Sequence, residues 1–170
     1  MGASPISRRA ICNFFVENSN GLHNRIEQFL DRGDIVTEGE LEHILWMEIF
    51  NWMRSLDGDS YKFNYLPYRI RSQLYYKDSE TYPDLEIWRG EERILVIELK
   101  HYHKRTFVLD NVIEDVKKNN RILESGEDTI PMVIFTSSLA HEVFTSYLEK
   151  IYENNNFQDK NLVIGLNRGV

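Results

Sequence analysis

Apolar residues recur at helical spacing through the first third of the chain. The predicted helices cover residues 7–15, residues 22–30 and residues 37–54. Gly33 is expected to end the second helix, because glycine readily adopts the left-handed conformation that follows a helix. Thr37 and Glu40 have the spacing of a capping box and therefore mark the start of the third helix.

After residue 60 the apolar residues follow the pattern of strands. Predicted strands lie within residues 61–76 and at residues 85–88, 93–100, 132–136 and 162–166, and predicted helices at residues 110–123 and 138–152. A turn around Gly90 joins two of these strands as a hairpin. Helices first, then a hairpin, then alternating strands and helices predict an α/β fold whose mixed sheet is flanked by helices.

The composition is that of an ordinary globular domain. The 170 residues are 42% hydrophobic and 28% charged, which suits one domain with its own core. No apolar run approaches the ~20 residues of a membrane span, so no membrane partner is expected. Cys12 is the only cysteine, which excludes a disulfide framework and a cysteine-based zinc site. These features predict a cytoplasmic protein.

The charge balance limits the ways in which the chain can bind nucleic acid. Its net charge is −7 at pH 7, whereas proteins that bind mainly by neutralising phosphates are usually basic. A simple DNA-coating module is therefore not expected. An enzyme with carboxylates in its site and basic groups placed locally fits this charge.

Two carboxylates and a lysine are expected to meet at one end of the hairpin. Asp84 precedes the first hairpin strand, and Glu98 and Lys100 end the second. Alternate residues of a strand share a face, so Glu98 and Lys100 point the same way and Leu99 points the other way. Charges beside four consecutive apolar residues cost desolvation energy, which a purely structural core would avoid. The structural alternative is a pair of solvated strand-end charges with a salt-bridged lysine.

The residue types at this end of the hairpin suit a divalent metal ion. The carboxylates of Asp84 and Glu98, with the backbone carbonyl of Leu99, are the hard oxygen ligands that Mg²⁺ or Mn²⁺ prefers. Such an ion acidifies water and neutralises charge on a phosphate. Lys100 can orient the water or stabilise that charge. Hydrolysis of a phosphodiester is the reaction that uses this combination best.

Residues 82–87 (YPDLEI) and 96–100 (VIELK) resemble the motifs of the PD-(D/E)XK nuclease superfamily, which includes restriction, repair and recombination nucleases. The resemblance covers residues 38–136 and implies a restriction-endonuclease-like core. It makes residues 1–36 an N-terminal helical elaboration and residues 137–170 a C-terminal helix and strand, all within a single domain of residues 1–170. By this resemblance Asp84 and Glu98 are metal ligands and Lys100 is the catalytic lysine.

Many members of that superfamily also carry an acidic residue on the helix before the core. The predicted third helix offers Glu38, Glu40, Glu42 and Glu48. We favour Glu42, then Glu48, because both lie beside apolar positions. The favoured glutamate would complete the catalytic set and the metal ligands.

A histidine ligand is a further alternative. Cap-snatching endonucleases of segmented negative-strand RNA viruses resemble the same superfamily and add a histidine from an N-terminal helix. His23 lies on such a predicted helix, although a single histidine there is more often a surface residue. His101 and His103 follow the motif lysine directly and are expected to be solvated.

Four basic residues are candidates for contacts with nucleic acid: Lys104, Arg105, Lys117 and Arg121. The first two leave the motif strand, and the other two lie on a helix that should pack close to it. A solvated loop and a charge-balanced helix face are the structural alternatives. Arg69 and Arg71, interleaved with tyrosines, either contact nucleic acid or belong to a half-buried strand.

The sequence as a whole predicts a Mg²⁺- or Mn²⁺-dependent endonuclease, with DNA favoured over RNA as the substrate. A restriction, defence or recombination role is expected, and cutting both strands of a duplex predicts a homodimer or a larger protein assembly. The alternatives are an RNA endonuclease of the cap-snatching kind, in which His23 matters, and an inactive binding or assembly module that keeps the nuclease fold.

Overall fold

The computed structural model describes residues 10–11, 13–17, 22–56, 68–72, 83–102, 107–126 and 128–168. A π-helical segment, Asn13–Glu17, precedes four α-helices: α1 (Leu22–Arg32), α2 (Glu38–Leu56), α3 (Leu109–Glu124) and α4 (His141–Glu153). The strands are β1 (Tyr68–Ser72), β2 (Leu85–Arg89), β3 (Glu92–His101), β4 (Ile130–Ser137) and β5 (Leu162–Asn167). None of the described helices is both long and apolar enough to cross a membrane.

The five strands form one mixed sheet in the order β1-β2-β3-β4-β5. The pairs β1–β2 and β2–β3 are antiparallel, and the pairs β3–β4 and β4–β5 are parallel. The two parallel connections run through α3 and α4, as parallel neighbours require a crossover. The predicted α/β mixed sheet with flanking helices is therefore confirmed.

Helices cover the two faces of this sheet separately. On one face, α1 and α2 pack on alternate residues of the central strands, including Ile97, Leu99 and Ile134. On the other face, α3 and α4 pack on the residues between them, including Val133 and Phe135. The central strand β3 is consequently buried on both sides, as its run of apolar residues predicts.

The local signals that delimit the elements are confirmed where the structure describes them. Glu40 Oε2 accepts the Thr37 backbone N–H at 2.8 Å, and Thr37 Oγ1 accepts the Glu40 N–H at 3.2 Å, which is the capping box at the start of α2. Gly33, after α1, has φ +78°, and Gly90, in the hairpin turn, has φ +60°. Both are left-handed conformations that glycine adopts without strain.

The buried stripe of α3 differs from the expected one. The apolar residues of this helix predict an inward stripe of Val112, Val116 and Ile122 or Leu123, but the buried residues after Val116 are Asn119 and Asn120. Their amides join Asn161 before β5, whose Nδ2 donates to Asn120 Oδ1 at 2.9 Å. These hydrogen bonds offset the free-energy cost of burying the polar amides. They also set the rotation of α3 on the sheet.

Two predicted segments lie partly outside the described residues. Of the predicted helix over residues 7–15, residues 10–11 are helical and the π-helical segment follows. Of the strand-like residues 61–76, residues 68–72 form β1.

Candidate active site

The hairpin register brings Asp84 beside the motif strand. Leu85, the first residue of β2, pairs with Ile97 of β3. Asp84 therefore lies across from the end of β3, where its Oδ2 accepts the backbone N–H of Leu99 at 2.6 Å. Asp84 and Glu98 are both buried. The structure thus brings together Asp84, Glu98 and Lys100, the three residues that the sequence singled out.

Glu98 and Lys100 share the sheet face on which α3 packs. Leu99, between them, contributes to the core on the opposite face. Across the gap, Lys118 of α3 donates to Glu98 Oε1 at 2.5 Å. Asp115 of α3 pairs with Lys100 through Oδ2 and Nζ at 3.3 Å. The site is therefore a cluster of alternating charges between β3 and α3.

Burial gives the two motif carboxyls an affinity for protons near neutral pH. Burial raises the pKa of Asp84 to about 6, although the Leu99 N–H and Lys100 act in the opposite direction. It raises the pKa of Glu98 to about 7 against the opposing effect of Lys118. Lys100 and Lys118 offset the effect of burial on these two pKa values only in part.

The lysine and its α3 partner respond differently to the same surroundings. Burial opposes the charge of Lys100, but the carboxylates of Asp115, Glu38 and Asp84 outweigh it and hold the Lys100 pKa above its ordinary value. Burial raises the pKa of Asp115, although Lys100 and Lys118 lower it. Lys100 is therefore a cation at neutral pH, and its Nζ donates to the Leu99 carbonyl at 2.9 Å.

Among the glutamates of α2, Glu38 contacts the end of β3. Its Oε2 accepts the backbone N–H of His101 at 3.2 Å, and its charge contributes to raising the pKa of Asp84. Glu48 instead pairs with Arg25 of α1 at 2.6 Å, which connects the two helices. Glu42 is half-buried one turn beyond Glu38 on α2, and its part in the site stays a prediction.

The basic residues predicted to contact nucleic acid are exposed on α3 or lie outside the described residues. Lys117 is exposed and pairs with Glu114 at 3.1 Å, and Arg121 is exposed in the last turn of α3. Lys104 and Arg105 lie outside the described residues, as do His103 and the side chain of His23. The prediction that His101 is solvated is wrong, because His101 is the half-buried last residue of β3 and its Nδ1 lies 2.6 Å from Thr136 Oγ1 of β4.

Sequence reasoning missed Asp115 and Lys118 as site residues. Both belong to the flank of the buried stripe of α3, since Asp115 precedes Val116 and Lys118 precedes Asn119. They are three residues apart, so they lie on the same side of the helix. That spacing beside the stripe is the signal that identifies them once the stripe is placed against β3.

The carboxyl pair fits a divalent cation by its chemistry. Within the described residues, no three His, Cys, Asp or Glu side chains form a group that could hold a metal. Mg²⁺, however, is commonly held by one or two carboxylates, with water and substrate phosphates completing its shell. Asp84 and Glu98, with the Leu99 carbonyl, are a set of this kind, and a bound cation would favour the ionised forms of the two carboxyls that burial disfavours.

Comparison of the chain with models of known families, with curated proteins and with solved structures found no match in any of the three.

Proposed function

We propose that the protein is a divalent-metal-dependent endonuclease of the PD-(D/E)XK type that hydrolyses phosphodiester bonds, with DNA as its substrate. The observation that carries this proposal is the buried Asp84–Glu98 pair at the end of the hairpin. Two carboxyls with pKa values of about 6 and about 7 sit beside a charged lysine. Such perturbed groups concentrate at functional sites.

Each residue of the cluster has a distinct part in the proposed reaction. Asp84 and Glu98 would hold the ion, which when bound neutralises phosphate charge and acidifies water. Lys100 supplies a fixed positive charge for the scissile phosphate or orients the attacking water. Asp115, at 3.3 Å from the Lys100 ammonium, positions that charge. Lys118 balances Glu98 with an ion pair.

Retention of all three motif residues in one buried cluster favours the enzyme over an inactive binding module. A fold kept only for binding would gain stability by replacing a carboxyl whose burial is unfavourable at neutral pH. The pKa of Glu98, raised to about 7, marks such a carboxyl.

Incubation of the purified protein with supercoiled plasmid, circular single-stranded DNA and single-stranded RNA tests this function. Each substrate is combined with Mg²⁺, Mn²⁺ or EDTA, and the products are followed by electrophoresis. We expect DNA cleavage with either metal and none with EDTA. An Asp84→Asn protein purified in parallel excludes a contaminating nuclease. If none of the three substrates is cleaved in a metal-dependent way, the proposal is contradicted. If only the RNA is cleaved, the enzyme is an RNA endonuclease and not a DNA endonuclease.

A further inference from the structure

The antiparallel half of the sheet carries arginines and a tryptophan in register on one face. Arg69 of β1 pairs with Trp88 of β2, and Trp88 pairs with Arg93 of β3. Arg71 lies two residues from Arg69, and residues two apart on a strand share a face. We call Arg69, Arg71, Trp88 and Arg93 the arginine–tryptophan strip.

Contacts within the strip hold its side chains in place. The Arg71 guanidinium lies over the Trp88 ring, 4.7 Å from its centroid. Glu86, which pairs with Arg71 in the sheet, accepts the Trp88 indole N–H at 2.9 Å and pairs with Arg93 at 3.1 Å. Arg69 donates to the Gly90 carbonyl. Three arginines and one glutamate leave the strip positive, in a chain whose net charge is −7.

The strip leads along the sheet to the carboxyl pair. Glu86 pairs with Val96, and Glu98 lies two residues beyond Val96 on the same face. Trp88 follows Asp84 by four residues along the chain, so their Cα atoms are about 13 Å apart at the ordinary rise of a strand. Arg69 is exposed, and Arg71 and Trp88 are half-buried, so solvent reaches the strip.

We propose that the strip binds a segment of single-stranded DNA and directs it to the Asp84–Glu98 site. This inference rests on the proposed nuclease function. Guanidinium groups form bidentate hydrogen bonds with phosphate, and an aromatic ring on a sheet stacks with an unpaired base. The positive strip complements a phosphate backbone, which the acidic remainder of the chain would repel. A base inside a duplex is already stacked, so Trp88 favours a single strand.

Fluorescence anisotropy with a labelled 15-nucleotide oligothymidylate measures binding of single-stranded DNA by the strip, and EDTA in the buffer prevents metal-dependent cleavage. Arg69→Gln is expected to weaken binding and to reduce the slope of log K against log [salt] by about 0.7, the value for one phosphate contact on a single strand. Trp88→Leu is expected to weaken binding about tenfold with little change in that slope, because stacking releases no counterions.

Matched variants elsewhere in the chain serve as controls. Arg32→Gln removes an exposed arginine that lies over the Phe29 ring at 4.7 Å, and Trp46→Leu removes an exposed tryptophan of α2. Both are expected to bind the oligonucleotide as the wild type does. Circular dichroism of each variant verifies that it is folded.

Two outcomes would overturn the inference. One is equal weakening by the strip variants and their controls, and the other is binding of a 15-base-pair duplex as tight as that of the single strand. Either outcome leaves metal-dependent cleavage unaffected, whereas intact strip binding without any cleavage would contradict the proposed function alone.

Discussion

A Lys100→Met variant is expected to lose metal-dependent DNA cleavage by a factor of at least about 100, the usual effect of removing one preorganised charge from a transition state. Methionine keeps most of the length and apolar volume of the lysine side chain. It removes the ammonium that lies 2.9 Å from the Leu99 carbonyl and 3.3 Å from Asp115. The initial rate of plasmid nicking in Mn²⁺ measures the loss.

Lys150→Met is the matched control for this substitution. Lys150 is an exposed lysine in the last turn of α4, and its variant is expected to cleave at the wild-type rate. Thermal melting establishes that both variants are folded. Cleavage by Lys100→Met at a rate close to that of the wild type would remove the lysine from the proposed catalytic set.

A Glu98→Gln variant is expected to be more stable than the wild type at pH 8 and to lose this advantage near pH 4. The folded protein raises the pKa of Glu98 from 4.5 to about 7, which costs roughly 3 kcal/mol once the group is ionised in both states. Because the folded-state pKa is the higher one, the associated stability is present below pH 4.5 and is lost as the pH rises towards 7. Glutamine does not ionise and therefore escapes this loss.

Urea unfolding in EDTA at pH 4, 6 and 8 measures the difference in free energy of unfolding between variant and wild type. Glu86→Gln is the matched control, because Glu86 is also buried and lies on the same sheet face. Its carboxylate pairs with Arg93 and accepts the Trp88 indole N–H, so this variant is expected to be less stable than the wild type at pH 8. A Glu98→Gln protein that is equally destabilised at pH 4 and pH 8 would contradict the role of burial.

Loss of cleavage in Lys100→Met and a gain of stability in Glu98→Gln would together describe a site whose charged residues serve the proposed activity but lower the stability of the fold. Glutamine at position 98 would remove a proposed metal ligand and at the same time remove a carboxylate that burial disfavours. Active sites commonly hold such unfavourable groups, since the rest of the fold stabilises the chain around them.

The elements and the pairing of the motif residues could be predicted because their signals are local. Gly90 permits a tight hairpin, and alternation along a strand determines which residues share a face. Once the hairpin forms, Asp84 has to lie near the end of β3, where its carboxylate accepts a hydrogen bond from the Leu99 backbone N–H.

The contribution of α3 could not be predicted with the same certainty. A helix turns by about 100° per residue, so a small error in its buried stripe exchanges Lys117 for Lys118 as the residue that faces β3. The apolar residues Ile122 and Leu123 favour one rotation, whereas the buried Asn119 and Asn120 and their hydrogen bonds to Asn161 select another. Polar burial of this kind has no signal in hydrophobic periodicity.

The helix glutamate was uncertain for a related reason. Glu38 and Glu42 are one turn apart on the same side of α2, so periodicity does not distinguish them. Their distance from the end of β3 depends on how far α2 is displaced along the sheet, which tertiary packing determines. The structure joins Glu38 to His101.

Calorimetric titration of Mn²⁺ into the metal-free protein tests the central claim most directly, since the proposed function requires that Asp84 and Glu98 hold a divalent cation. The wild type and Glu86→Gln are expected to bind about one Mn²⁺ per chain, whereas the double variant Asp84→Asn/Glu98→Gln is expected to show no such binding. Equal Mn²⁺ affinity in the wild type and the double variant would contradict the metal site and the nuclease function built on it.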